Sequence, residues 1–482
     1  MGDDVTTTTS TATNKKPKMG IWLLLVGAVI MLSGLLFGYD QGVLGGIQKS
    51  FGASTTMIQI ITSWVTLGAL VGALVAGVLA DKIGRRVTIL LAAVLFTIGA
   101  LFEALAPNTT VLIMGRLIVG FGVGVASVAA PLYAAEQAPT RLRGRFVSIY
   151  QLAITIGIFI AYLVDQALIN NDMWRVMLGV SAVPAVLLFV VMFPMPDSPR
   201  WFVKVGRRDD AIKALSKVRP DVDAAAEVAE IEKAAQEDDA NKATWAEVFS
   251  KKLRKPLTIG IGLAVFQQIT GINAIIYYAN KIFAQAGFST PEDQAAATTW
   301  AIGAVNVLAT LIAVVYVDRF GRRPLLLAGL VGMASALLTV GVSFHFMDNA
   351  DTSGAGTGGP TTAGIITLVA LVVFIASFAF SLGPVVWTVI NEIFPNRVRG
   401  RAVAIATAVN WGSAWLVSQF FLTLIEKIGN SATFYLFGFF AAVAYVWIWK
   451  TVPETKGRSL EEIQKIWDDE DPVQTQRDAG TL

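Results

Sequence analysis

Residues 81–86 read Asp81-Lys82-Ile83-Gly84-Arg85-Arg86, and residues 318–323 read Asp318-Arg319-Phe320-Gly321-Arg322-Arg323. A second stretch, Glu136-Gln137-Ala138-Pro139-Thr140-Arg141-Leu142-Arg143-Gly144, returns as Glu392-Ile393-Phe394-Pro395-Asn396-Arg397-Val398-Arg399-Gly400. Each copy follows a long apolar segment, so the chain is a duplication whose halves share order and direction. Apolar segments fall at roughly 21–47, 57–80, 87–106, 111–134, 147–169, 174–193, 257–284, 297–317, 324–346, 363–391, 401–425 and 432–452. Each approaches or exceeds the ~20 residues that cross a bilayer as one helix. The expected fold is an all-α membrane protein of twelve transmembrane helices in two six-helix bundles, repeated in parallel.

Composition agrees. Of 482 residues, 54% are hydrophobic and 15% charged, with a mean hydropathy of +0.61; soluble domains carry about 25% charged residues. These values exclude a soluble enzyme, a disordered chain and a nucleic-acid binder. The apolar runs far exceed the roughly 10-residue alternating strands of a membrane barrel. With no cysteine, disulfides, thiolate chemistry and zinc–thiolate sites are excluded as well.

Lys82, Arg85, Arg86, Arg141, Arg143, Arg145, Arg319, Arg322, Arg323, Arg397, Arg399 and Arg401 fall in loops on one side, against Lys49, Arg175 and Lys427 on the other. The bias sets the first side, with both termini, in the cytosol. The expected organisation is a cytosolic tail (1–20), a first bundle (21–193), an intracellular helical insert (194–256), a second bundle (257–452) and a second tail (453–482). The Thr-rich start is expected to be a cytosolic tail and not a signal peptide. The apolar run after it is too long for an h-region, and no small-residue cleavage site closes that run. Ser353–Pro360 is glycine-rich and reads as an outer loop.

From about 21 to 467 the chain resembles the sugar porters of the major facilitator superfamily. The resemblance rests on the two repeated motifs, Pro196-Asp197-Ser198-Pro199-Arg200, Gln267-Gln268-Ile269-Thr270-Gly271-Ile272-Asn273 and Pro453-Glu454-Thr455-Lys456-Gly457, in that order. Asp197 stands where the family usually has Glu, and Val314 where the first copy has Gly77.

Asp40 and Arg116 are charges inside apolar segments, where each costs at least ~2.5–3.5 kcal/mol unless paired, hydrated or neutralised. At ~1.5 Å per residue they lie about 10 Å and 8 Å below the same membrane face, so they are expected to pair. The pair is either a static strut or a proton switch: the cation favours the carboxylate and burial the neutral acid, and the two can balance near working pH. The resemblance implies the switch, since proton-coupled sugar porters carry an acid here and passive facilitators Asn. Glu103 and Asp165 are expected at hydrated helix ends in structural roles, and His345 at the interface.

A hexose needs neutral amides and aromatic surfaces around it. The seventh segment supplies Gln267, Gln268, Asn273, Tyr277 and Tyr278. On an unbroken helix Gln267 and Asn273 diverge by about 120°, so a break at Thr270-Gly271 is expected, as in carriers with discontinuous helices. By matched position the resemblance adds Phe37, Gln151, Asn306, Trp387, Asn410 and Trp411. Asn410 is the residue that glucose facilitators have at its position.

Asp81, Arg86, Glu136, Arg143, Asp318, Arg323, Glu392 and Arg399 are expected to form cytosolic gate ion pairs between helix ends and across the halves, clasping that side in the outward-facing state and separating on opening inward. Gly383-Pro384 is an expected hinge, because proline removes a helix hydrogen bond. Gly120-Phe121-Gly122-Val123-Gly124 lacks the preceding strand of a dinucleotide loop and reads as close helix packing.

The sequence thus leads to a plasma-membrane carrier that couples a monosaccharide, of hexose type, to proton symport by alternating access. Asp40 is the proton carrier and Arg116 its partner. A passive uniporter of the same fold, or a non-transporting sugar receptor, is the alternative. No enzyme, metal, cofactor or nucleic-acid partner is expected; the proton is the coupling ion, membrane lipid surrounds the chain, and it is expected to act as a monomer.

Overall fold

A computed structural model describes residues 20–47, 54–139, 143–169, 173–240, 244–349 and 361–456. The first four spans are Ile21–Gly42, Thr55–Ile83, Arg85–Ala104 and Thr109–Gln137, and the fifth is Arg143–Leu168. The sixth is made of Trp174–Gly179 and Ala182–Met192. After an insert, the seventh comprises Arg254–Ile269 and Ile272–Gln285, and the eighth Pro291–Ala297, the π-helical turn Thr298–Ala304, and Val305–Phe320. The ninth is Arg322–Asn349; the tenth is Thr362–Phe380 followed by Leu382–Ile393. Asn396–Thr451 runs on as one helical stretch, but Gly429 turns it with φ of 82°. Split there, it supplies the eleventh and twelfth spans. The glycine-rich loop and both expected tails lie almost wholly outside the described residues.

Burial is inverted relative to a soluble protein. Leu74, Val78, Val183, Leu308, Val369 and Phe439 are exposed on the flanks, while Asp40, Glu103, Arg116, Gln267, Gln268 and Asn410 are buried. Apolar exteriors suit lipid, and polar interiors must be satisfied within the protein. Glycines bring some spans into backbone contact: a Cβ on Gly120 or Gly124 would collide with the carbonyls of Val65 or Ala69. The Gly120–Gly124 run is therefore a packing seam between the second and fourth spans.

Helix starts differ at the two ends of the bundle. At the end remote from the arginine-rich loops, Ser54, Asn108, Thr290 and Thr361 cap the second, fourth, eighth and tenth spans with their own side chains, satisfying amides left open by the helix. At the arginine-rich end, the third and ninth spans are capped from a distance. Asp197 accepts from the Arg85 and Arg86 amides at 2.9 and 3.2 Å. Glu454 does the same for Arg322 and Arg323 at 3.0 and 3.1 Å. Burial lifts the Asp197 carboxyl above its ordinary range, against the pull of backbone hydrogen bonds from Ser198, Arg86 and Arg85.

The insert folds as Pro199–Lys204, Arg208–Val218, Ala224–Ala240 and Trp245–Val248. Ala211, Leu215, Ala224 and Val228 form its small core. Lys217 sits 3.9 Å from the Trp22 ring centroid on the first bundle, and Glu247 pairs with Arg397 of the second at 3.1 Å.

Candidate functional site

Among the described residues, two polar constellations stand out in the interior. The first lies in the first half of the chain. Arg116 is fully buried on the fourth span. Its Nη1 donates to Asp40 Oδ1 at 2.6 Å and its Nη2 to Asp40 Oδ2 at 3.3 Å, while Nε donates to the Ile61 carbonyl at 3.2 Å. The depth match read from the sequence therefore brings the pair into contact. The same Nη1 also reaches both oxygens of Glu103, at 3.3 and 3.4 Å. Glu103 and Asp165 are 1% and 2% exposed, so neither is the hydrated helix-end residue expected. Neighbouring helices cover the helix ends, and Glu103 joins the ion pair.

The second constellation is neutral and lies in the second half. As expected, the seventh span breaks at Thr270-Gly271: Gly271 has φ of +93°, and the helix restarts at Ile272. The break lets four amides converge. Asn410 Nδ2 donates to Gln267 Oε1 at 2.7 Å and to the Ala264 carbonyl at 3.1 Å. Gln268 Nε2 donates to Asn410 Oδ1 at 3.2 Å, and Asn273 Nδ2 to Gln268 Oε1 at 2.7 Å. Gln267 Nε2 donates to the Leu382 carbonyl at 2.7 Å, where the tenth span restarts.

The remaining expected ligands divide. A Cβ on Gly383 would lie 3.8 Å from Gln151 Nε2, so Gln151 of the first half faces the restart that Gln267 touches. Phe37 and Trp411 meet across the halves with ring centroids 5.2 Å apart. Trp387 is half-buried on the restarted tenth span. Asn306 is buried just after the π-helical turn, and the amide hydrogen bonds above do not include it. Tyr277, fully buried, stands beside Gln41 and close enough to Asp40 and Arg116 to feel their charges. It belongs with the ion cluster rather than with the amides. Tyr278 is a packing residue: its hydroxyl donates to the Ser418 carbonyl at 3.0 Å and its ring stacks on Phe421.

The tenth span breaks at Ser381, with φ of −123° and ψ of −94°, rather than at the expected Gly383-Pro384. Pro384 falls in the first turn of the new helix, where its missing N–H costs nothing.

The gate glutamates take different arginine partners from the expected ones. Glu136 pairs with Arg85, not Arg86, through two bonds of 2.9 Å. Glu392 pairs with Arg322, not Arg323, at 3.1 Å. Asp81 bonds Arg85 at 3.2 Å and Lys204 at 2.8 Å. Arg86 donates instead to the Phe193 carbonyl, Arg323 to that of Trp449 at 2.6 Å, and Arg399 to that of Phe394 at 3.1 Å. The side chains of Arg143 and Asp318 lie outside the described set. The pairs Arg85–Glu136 and Arg322–Glu392 each stay within one half. Hydrogen bonds that cross the halves among the described residues lie toward the opposite end. There Gln59 meets Thr423 at 2.9 Å, Ser63 meets Gln419 at 2.5 Å, Thr55 meets Glu426, and Tyr162 donates to the Ile276 carbonyl at 2.9 Å. The bundle is clasped at the end remote from its arginines, a contact set that the sequence reading missed.

Twelve spans in two parallel halves, with a polar interior between them, define a major facilitator carrier. Residues 26–467 match the family described as "Sugar (and other) transporter", and the chain belongs to that family. It is 40% identical over 442 residues to the galactose-proton symporter of Escherichia coli (strain K12), covering 90% of this chain and 92% of that protein. It is 35% identical over 458 residues to the arabinose-proton symporter of Bacillus subtilis (strain 168), covering 92% of this chain and 95% of that one. The xylose transporter from E. coli, in a structure described as inward open, superposes with a TM-score of 0.77 at 31% identity, covering 92% of this chain and all of that one. The protein is an integral membrane transporter and not an enzyme.

Proposed function

We propose that this chain carries a monosaccharide, a hexose such as glucose or galactose, across the plasma membrane together with a proton by alternating access. The arginine-rich end and both termini face the cytosol in this reading, so the clasp at the opposite end makes the structure inward-facing. The carrier works as a monomer in lipid, needs no cofactor beyond the coupling proton, and has no nucleic-acid partner.

One observation carries the reading. Asn273 and Tyr277 stand one turn apart on the helix that restarts after Gly271; the first is bonded into the amide cluster and the second stands beside Gln41, close enough to Asp40 and Arg116 to feel their charges. A sugar that displaces the amide–amide bonds therefore pulls on the same helix that brings Tyr277 close to the ion pair. The amides fit an uncharged polyol, and the relatives described as galactose-proton and arabinose-proton symporters support a sugar and a proton as cargo. One proton entering down 100 mV contributes about 2.3 kcal/mol, enough for roughly 50-fold accumulation of a neutral sugar.

The test is uptake into proteoliposomes. With an inward pH gradient, labelled glucose or galactose should accumulate above equilibrium, and arabinose, xylose and myo-inositol should compete less well. Asp40→Asn should abolish accumulation and keep counterflow. Equilibration without accumulation by the parent protein would instead show passive uniport with Asp40–Arg116 as a strut.

A further inference from the structure

The interior of the first half holds two carboxylates against one guanidinium. Asp40, Glu103 and Arg116 are 3%, 1% and 0% exposed. A buried set with net charge −1 is what a low-dielectric interior most strongly opposes, and a single proton neutralises it. Glu103 also sits in the last turn of the third span, where the helix dipole disfavours a negative charge. Its seat is nevertheless fitted to it: a Cβ on Gly115 would lie 2.6 Å from Glu103 Cγ and 3.0 Å from its backbone nitrogen. Tyr277 is the ionisable group facing the cluster from the second half. Tyr39, next to Asp40 in the chain, is bonded to the Met177 carbonyl at 2.7 Å and lies near Asp165. Arg175 of the sixth span donates to the Ala106 carbonyl, just past Glu103, at 3.0 Å.

We propose that Glu103 is the holding counter-ion of Arg116, the group that lets Asp40 accept the coupling proton. The assignment rests on the symport reading. A proton from the outer solution forms an O–H bond on Asp40, and the Asp40–Arg116 ion pair breaks. Arg116 loses no proton and keeps its bonds to Glu103, so no bare cation is left buried, and the net charge of the trio goes from −1 to 0. Release to the other side reverses each change, and one proton crosses per cycle. Without Glu103, protonating Asp40 would strand Arg116, and the proton would bind only from more acidic solution.

The measurement is uphill uptake, as a function of external pH, of an equimolar mixture of labelled glucose, galactose and xylose by proteoliposomes, with counterflow at fixed pH alongside. In Glu103→Gln the pH of half-maximal uptake should fall by about one unit, the small end of what a neighbouring charge does to a titration. Counterflow, which needs no net proton movement, reports separately whether the variant still carries sugar. Glu103→Asp, which restores the charge, should return the midpoint toward the parent value. Gly115→Ala, which crowds Glu103 without altering any charge, should move it in the same direction as Glu103→Gln by less, and it serves if Glu103→Gln does not fold. A Glu103→Gln profile that coincides with the parent's, or an acid shift that Glu103→Asp shares in full, would reduce Glu103 to a strut between the third and fourth spans. A parent whose uptake ignores the pH gradient would instead overturn symport itself.

Discussion

The two halves of this carrier share a scaffold and differ in what they bury. Both start a span with a Gly-Arg-Arg turn capped from a distance, by Asp197 in one and Glu454 in the other. Both pin an arginine of that turn to a glutamate, Glu136 or Glu392. Inside, they part. The second to fifth spans are each continuous, and the first half buries full charges. The second half breaks its seventh and tenth spans, loosens the eighth with a π-helical turn, and buries neutral amides. In the proposed reading, physics separates the tasks. A buried ion cluster is tolerable only where every partner is held in place, which continuous helices provide. A neutral polyol is gripped by groups that rearrange, and broken helices supply both loose backbone carbonyls and movable amides.

That division is broken first by removing the cation. Arg116→Leu leaves Asp40 and Glu103 buried without their partner and should destabilise the purified carrier by about 3–5 kcal/mol. Gln267→Leu, equally interior but neutral, should cost about 1–3 kcal/mol. Thermal unfolding in detergent compares them. Equal losses would mean that the charged half is no more tightly organised than the neutral one.

A finer cut separates sugar recognition from proton handling. Gln267→Ala or Asn410→Ala removes one member of the amide chain, worth about 1–3 kcal/mol, so apparent sugar affinity should fall roughly 10- to 100-fold. The pH midpoint of uptake at saturating sugar should stay where it is, because neither residue touches the Asp40–Arg116 pair. A moved midpoint in these variants would join the two constellations into one site.

How much of this was readable beforehand follows the same line. Span positions, the insert, the Thr270-Gly271 break and the Asp40–Arg116 contact came from hydropathy, a helix-breaking residue and rise per residue, all local quantities. Glu103 was assigned to water because depth along its own helix says nothing about which neighbours cover that end. Arg85 and Arg86 project about 100° apart on a helix, and only the position of the fourth span selects the one that meets Glu136. Pro384 marked a discontinuity but not its place, since a first-turn proline is compatible with a break at Ser381 upstream. The crossing bonds of Gln59 and Ser63 depend on which end of the carrier is closed, a choice that a single sequence leaves open because both states use it.

The smallest expected effect tests whether the shared scaffold is truly equivalent in the two halves. Gly84 and Gly321 adopt φ of 92° and 86° with ψ of 158°, a region open to glycine and strained by about 1–3 kcal/mol for other residues. On backbone grounds alone Gly84→Ala and Gly321→Ala should cost the same, at the lower end of that range. Their surroundings differ. A Cβ at 84 would strike Asp197 Oδ2, whereas one at 321 would lie 2.8 Å from Glu454 Oε2, and the longer glutamate has one more torsion with which to turn aside. Both carboxylates are held by further amides, Asp197 by Ser198 at 2.7 Å and Glu454 by Thr455 and Lys456 at 2.9 and 2.8 Å. The difference therefore rests on the closer approach and the shorter side chain facing 84, and moving Asp197 loosens the start of the third span, next to the Arg85–Glu136 pair. Gly84→Ala should therefore lower the unfolding temperature further than Gly321→Ala. Equal shifts would mean that an aspartate in one half and a glutamate in the other make no mechanical difference.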